Sequence, residues 1–452
     1  MNDPAAPLVP GPGPAFGRGE AARRLDEPPR CRSAASRPLE MLAASVGMPG
    51  AGRRQSAGPR SSAARLATAC GFVRPGPLDG RREMYQSGKS LEREARMRLG
   101  YFAMPLHPPG SDPGQTMEDD LQQLVFLEGL GFEEAWIGEH FTARWENIPC
   151  PDLFIAKALG LTRTLKLGTG VSCLPNHNPL MLAQRIAVLD HLARGRFYWG
   201  VGSGGFPGDF ELFGFDPKSG EHREFTRACL ETVLGLWTDP KPGLYENKYW
   251  RFRVPEPQDD IGLALHLRPY QRPHPPISVA GVSAKSETLV LAGERGYLPM
   301  SINFVPARIL RTHWEGVEEG ARRAGRAADR ATWRISRDVY VGETTAQARR
   351  EALGGSLARD WTGYFLPLLK KVGLLSLCKV DPDMPDSEVT LEYLADQVWI
   401  VGDPGEVARK LQQLQRDVGG FGTLLVIAHE WEPRAAWTRS MSLLTEQVAP
   451  RL

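Results

Sequence analysis

Residues 97–109 read MRLGYFAMPLHPP, a short apolar strand opening at Met97 and ending in a turn that carries Pro105, His107, Pro108 and Pro109. Downstream, short apolar runs alternate with amphipathic helical stretches, the signature of parallel strands joined by crossover helices. The runs are Arg98–Met104, Glu134–Gly138, Leu165–Leu174, Arg196–Gly202, Ile277–Gly281, Tyr297–Ile302, Arg334–Val341 and Thr423–Ala428. Helix starts are marked by Thr116 with Asp119 three residues on, by Asn178-Pro179 and by Asp403-Pro404. Eight such units over 97–452 predict an α/β fold, a TIM (β/α)8 barrel with insertions. An open doubly wound sheet is the alternative. The insertions fall at Asp239–Pro276 and Asp360–Asp396, and unbroken loops of that length serve as lids or covers.

Upstream of Met97 the composition changes. Residues 1–96 are rich in Pro, Gly, Ala, Ser and Arg, hold a single lysine, Lys89, and sustain neither strand nor helix periodicity. Such a segment buries too little apolar surface to offset its ordering entropy, so 1–96 is expected to be a disordered extension ahead of one barrel domain over 97–452. A tail, an organelle leader and an upstream stretch translated from an unused start codon are the three readings, and the last is favoured.

With 16 Lys and Arg against nine Asp and Glu, that extension holds all of the chain's basic excess, and 97–452 is mildly acidic. This opposes nucleic acid as a partner, since such binding needs a cationic surface. No apolar stretch approaches the roughly 18–20 residues of a membrane helix, and the N-terminus lacks a signal-peptide core. Six cysteines, Cys31, Cys70, Cys150, Cys173, Cys229 and Cys378, form no CxxC pair, which speaks against a zinc module or disulfide framework. A cytoplasmic protein is expected.

In a barrel of this kind the active site lies at the C-terminal ends of the strands. There the sequence sets His107, then Gly138-Glu139-His140-Phe141, then Asn176-His177-Asn178. An acid among imidazoles can move protons. A metal site built from His107, Glu139, His140 and His177 is the weaker reading, because no HxH or HExxH spacing supports it. The fourth strand runs into Gly202-Ser203-Gly204-Gly205, and the fifth into Gly281-Val282-Ser283-Ala284-Lys285-Ser286 at a helix start. Glycine allows close backbone approach, and helix-start N–H groups with serine hydroxyls suit a phosphate, the more so with Arg223 opening the next helix. Gly200, Gly202 and Gly205 satisfy GxGxxG, but no helix opens on the third glycine, so a dinucleotide fold is not inferred.

At these strand ends the sequence resembles the luciferase-like flavin monooxygenases, the family of the bacterial luciferase alpha chain, over nearly all of 97–452. The landmarks are Gly100, Phe102, Pro108-Pro109, Glu139-His140-Phe141-Thr142, Gly168-Thr169, Leu174-Pro175, Gly195-Arg196-Phe197 and Val401-Gly402-Asp403-Pro404. The proline-rich opening, Trp361-Thr362-Gly363-Tyr364 and Asp381–Pro385 resemble the limonene monooxygenase-like subgroup.

The resemblance implies a flavin-dependent monooxygenase that uses reduced FMN and O2 to oxygenate a small apolar substrate. It further implies a separate NADH- or NADPH-dependent flavin reductase as partner, and a homo-oligomer is expected. By position, the phosphate contacts would be the backbone of Gly204 and Gly205, the Arg223 side chain, the backbone of Val282 and the hydroxyls of Ser283 and Ser286. Ser203 stands where luciferase offers a further arginine. Gly170-Val171 matches the family's non-proline cis peptide beneath the flavin ring. Luciferase has two adjacent histidines where this chain has Glu139-His140, so Glu139, His140 and His107 are the catalytic candidates and luciferase-type aldehyde chemistry is not expected. The alternative function is hydride transfer with a deazaflavin or flavin on the same fold.

Overall fold

Eight parallel strands, β1 (Arg98–Ala103), β2 (Glu134–Ile137), β3 (Lys166–Thr169), β4 (Phe197–Gly202), β5 (Ile277–Gly281), β6 (Leu298–Ser301), β7 (Arg334–Arg337) and β8 (Thr423–Ile427), pair in chain order. The ring closes where Leu99 of β1 sits opposite Leu424 of β8. The computed structural model describes residues 97–452, so the disordered extension expected over 1–96 lies outside the described residues. The barrel is the one the strand pattern predicts.

Alternation along the strands sorts the side chains. Leu99, Tyr101 and Ala103, with Ala135 and Ile137, Leu167, Phe197, Trp199 and Val201, point outward into the main core beneath the helices. Trp136, Met300 and Leu425 fill the interior, with Phe102, Tyr198 and Ala280 against them. One indole this large fits because glycine faces it: a Cβ on Gly168 would come within 2.6 Å of the Trp136 ring. At the strand starts, Arg334 grips Glu134 through two contacts, Nε to Oε1 at 3.0 Å and Nη2 to Oε2 at 2.9 Å, with both residues buried. Trp136 Nε1 donates to the same carboxylate at 2.9 Å. Fully hydrogen-bonded, this ion pair fills the N-terminal end of the barrel, which leaves the C-terminal end for a site.

Local departures from the sequence reading have physical causes. The run Leu165–Leu174 breaks after Thr169, where the Gly170–Val171 peptide is cis, and resumes as a two-residue strand, Ser172–Cys173. The run Arg334–Val341 breaks at Asp338, after which Val339–Val341 pairs with Ile400–Gly402 outside the barrel. The helix expected near Thr116 begins at Pro113, because Asp112 caps it by accepting from Gln115 N at 2.8 Å with proline in the first turn. Asn178 and Asp403 cap their helices as expected.

Neither insertion is an unbroken loop. Asp239–Pro276 contains an antiparallel hairpin, Gly243–Glu246 with Arg251–Val254. Asp360–Asp396 contains a π turn, Trp361–Phe365, and the helices Leu366–Lys371 and Leu391–Gln397, because Trp361, Phe365, Leu369 and Leu394 bury against the barrel. No helix among the described residues is long and apolar enough to cross a membrane.

Candidate active site

The C-terminal mouth gathers imidazole–carboxylate pairs, but not in the combination that adjacency in sequence suggests. Glu139 is buried, and both its oxygens lie 3.0 Å from His177 Nε2 while Asn176 Nδ2 donates to Oε1 at 3.0 Å. His140, the next residue, turns the other way. Its Nε2 is 3.0 Å from Glu146 Oε2, and Asp209 Oδ2 lies 3.8 Å from Nδ1, too long for a hydrogen bond but near enough to act as a charge. Burial alone would lower the His140 pKa, yet the Glu146 and Asp209 carboxylates outweigh it and raise the value to about 9.

His107 belongs to a third pair. Its Nε2 is 3.2 Å from both Asp120 oxygens and its Nδ1 is 3.3 Å from Glu430 Oε1. Those carboxylates overcome burial and raise His107 to about 9. Both of its ring nitrogens are therefore committed, and no contact joins it to Glu139 or His140.

On the opposite rim, Gly202 gives way to Val171, for a Cβ there would come within 2.6 Å of Val171 Cγ2. Gly204 follows at φ +78°, a conformation that favours glycine, and Gly205 has open space where a Cβ would be. Phe210 packs under Gly204 and meets the His222 ring at 4.6 Å, tilted by 44°, which ties this turn to the start of the helix Glu221–Thr238. That helix has Gly220 at its cap, while Glu221 N donates to Ser219 Oγ at 3.1 Å and Arg223 N to the Gly220 carbonyl at 3.0 Å. Arg223 is exposed and has no side-chain hydrogen bond or ion pair, and the neighbouring His222 Nδ1 is buried without a partner. An unpaired guanidinium beside a glycine turn offers the charge and the close backbone approach that an anion site needs.

Val282 and Ser283 lie in the turn after β5, and the Ser283 carbonyl accepts from His313 Nε2 at 3.0 Å. Ser286 is buried and caps the helix Glu287–Arg295 by position only, its hydroxyl 2.7 Å from that of Thr288. The two rims meet: the His140 ring lies edge-on to Phe206, the residue after Gly205, at 4.2 Å. Asp209 also accepts from Thr142 N at 2.8 Å.

A buried network at the ends of β7 and β8 escaped the sequence reading. His429 Nδ1 is 2.9 Å from Asp360 and its Nε2 3.0 Å from Asp338, and Arg359 joins Asp360 to Glu430 and hence to His107. Its carboxylates outweigh complete burial and raise His429 to about 9. These residues follow strands just as Glu139 does; reading 334–341 as one strand concealed Asp338, and stopping at Ala428 left out His429-Glu430. Among the described residues no group of three or more His, Cys, Asp and Glu side chains is arranged to hold a metal ion.

Fold and mouth together define a (β/α)8-barrel enzyme with buried acid–base pairs beside a glycine turn and an exposed arginine. The family model for luciferase-like monooxygenases matches residues 97–419. The 4-hydroxyprotoasukamycin monooxygenase of Streptomyces nodosus subsp. asukaensis is 34% identical over 79% of this chain and 92% of its own. Limonene 1,2-monooxygenase of Rhodococcus erythropolis is 32% identical over 78% and 86%. Among solved structures, the oxygenating constituent of 3,6-diketocamphane monooxygenase from Pseudomonas putida, a type II Baeyer-Villiger enzyme in complex with FMN, superposes with a TM-score of 0.74 at 31% identity, over 79% of this chain and 99% of that one. The chain belongs to the luciferase-like monooxygenase family and is a flavin-dependent monooxygenase.

Proposed function

We propose that this chain is the oxygenating component of a two-component system, which accepts reduced FMN from a separate NADH- or NADPH-dependent reductase and uses O2 to oxygenate a small apolar substrate. The observation that carries the reading is the contact of His140 with Phe206, which sets a cationic imidazole directly beside the glycine turn of the phosphate cradle. The relatives that act on limonene and on diketocamphane support an apolar substrate.

In this reading Arg223, the backbone of Gly204, Gly205 and Val282, and the hydroxyls of Ser283 and Ser286 would hold the flavin phosphate, and Gly170-Val171 would support the ring system. The bound flavin supplies the activation of oxygen. His140 holds a proton at Nδ1, which makes no hydrogen bond, and Glu139 orients His177 on the facing side. Phe206, Trp145 and Tyr364 keep water from the reacting centre. His107, with both nitrogens engaged, ties the first strand loop to the eighth, so the proton falls to His140.

The protein is further proposed to be a cytoplasmic homo-oligomer. Free Cys150, Cys173, Cys229 and Cys378 suit a reducing compartment. Met181, Val188 and Leu192, exposed at 60%, 47% and 60% on one face of the helix Pro179–Ala193, suit a subunit contact. Turnover with reduced FMN and a panel of terpenes, alkanes and cyclic ketones, scored for products that gain one oxygen atom, tests the proposal. Substrate oxidation without oxygen uptake would instead assign hydride transfer.

A further inference from the structure

The first turn of the 360–396 insertion reaches into the acid–base site. Trp361–Phe365 is a single π turn whose large side chains are buried. Its start is fixed to the barrel, since Trp361 Nε1 donates to Asp338 at 3.1 Å and Asp360 pairs with His429. Gly363 then passes so close to Trp145 that a Cβ would come within 2.8 Å of the ring, and Tyr364 stacks on the same indole at 5.8 Å and 19°. This packing delivers the Tyr364 hydroxyl to Glu146, to whose Oε1 it donates a hydrogen bond. The other oxygen of Glu146 faces His140 Nε2 at 3.0 Å.

We propose that Tyr364 is a positioning residue of the oxygenase site, which by donating to one oxygen of Glu146 fixes the other against His140 Nε2 while the insertion is seated. The proposal rests on the reading of His140 as the proton-holding group at the flavin mouth.

Burial and the Glu146 charge push the Tyr364 phenol far above its ordinary value, so it keeps its proton and donates a hydrogen bond to the carboxylate. Without that hydroxyl, Glu146 Oε1 would be a buried oxygen lacking a donor, and the carboxylate would lose the contact that fixes it against His140. A Glu146 displaced from His140 no longer offsets the burial of the imidazole. The remaining groups that face the imidazole cannot replace it. Asp209 is 3.8 Å away and already accepts from Phe141 N, Thr142 N and Thr142 Oγ1. Glu139 is occupied by His177 and Asn176, and Phe206 is apolar. The Cys173 thiol, pushed well above its usual value first by burial and then by Glu139, Asp209 and Glu146, stays neutral.

The test is an NMR titration of isotope-labelled histidine in the flavin-free full chain, with the His140 signal assigned by its loss in His140→Gln. Tyr364→Phe is expected to lower the His140 midpoint by about one pH unit or more. Glu146→Gln should lower it at least as far, and the double variant should fall no further than Glu146→Gln alone. The high-pH limb of product formed per O2 should move with the midpoint while affinity for reduced FMN stays at the parent value. A midpoint unchanged in Tyr364→Phe, with only the melting temperature reduced, overturns the proposal and leaves Tyr364 a packing residue. Should that variant fail to fold, Gly363→Ala, which forces the turn away from Trp145, carries the same test and the same two outcomes. If the parent forms no oxygenated product, the flavin reading fails, and the titration still decides whether Tyr364 sets His140.

Discussion

Glu139 and His177 form a buried pair across the mouth of the barrel, both carboxylate oxygens standing 3.0 Å from one imidazole nitrogen, while His140, the residue next to Glu139, pairs with Glu146 instead. In extended chain, neighbours point to opposite sides, so the dipeptide feeds two separate acid–base pairs.

Glu139→Gln keeps the size and most of the hydrogen bonding but removes the charge opposite His177. Product formation is expected to fall by about a hundredfold, within the usual range for an acid–base group, while O2 is still consumed and released as hydrogen peroxide. The ratio of product to O2, measured beside the melting temperature, checks this. An unchanged ratio with lower stability would remove Glu139 from the chemistry.

Arg223→Ala removes the unpaired guanidinium of the cradle. Affinity for reduced FMN should drop by about tenfold to a hundredfold, the size expected for a charge-assisted contact. Riboflavin, which has no phosphate, should bind parent and variant alike in a fluorescence titration.

Alkaline pH should loosen the fold. His107, His140 and His429 are each raised from 6.5 to about 9 by their carboxylates against the effect of burial. Because the native state favours their protonated forms, the stabilisation is complete below about 6.5 and disappears as pH rises through about 9. Melting temperatures should fall between pH 7 and 10, and His429→Gln should flatten the decline. His313 acts with the opposite sign: burial lowers it to about 4, so its contribution is lost as pH falls from about 6.5 toward 4.

Gly200→Ala places a Cβ 2.0 Å from the Thr169 carbonyl oxygen, a backbone atom that cannot move aside. We expect destabilisation of about 1–3 kcal/mol or more in denaturant unfolding. Gly160→Ala, in the helix Pro151–Leu161 with nothing within 4 Å, is the control and should be neutral or stabilising by up to about 1 kcal/mol.

The barrel was legible because its strands alternate between two apolar faces and its helices open on Asn178-Pro179 and Asp403-Pro404. The glycine turn after the fourth strand was legible for a similar reason, since a turn at a strand end needs only a short window. The pairing of histidines was not. His107 meets Glu430, 323 residues away, and Tyr364 meets Glu146 across 218 residues, and such contacts depend on which loops the closed ring brings together. The insertion was misread because proline and acidic residues at 381–386 mark a loop, whereas its helices are held by buried Trp361, Phe365 and Leu394.

The most direct test of the account is a single-turnover reaction under labelled oxygen, with chemically reduced FMN, no reductase present and a substrate that the panel identifies. The account predicts product carrying one atom from O2, with oxidised FMN left behind. Product without the label, or substrate oxidation under anaerobic conditions with the flavin or deazaflavin as hydride acceptor, would contradict it.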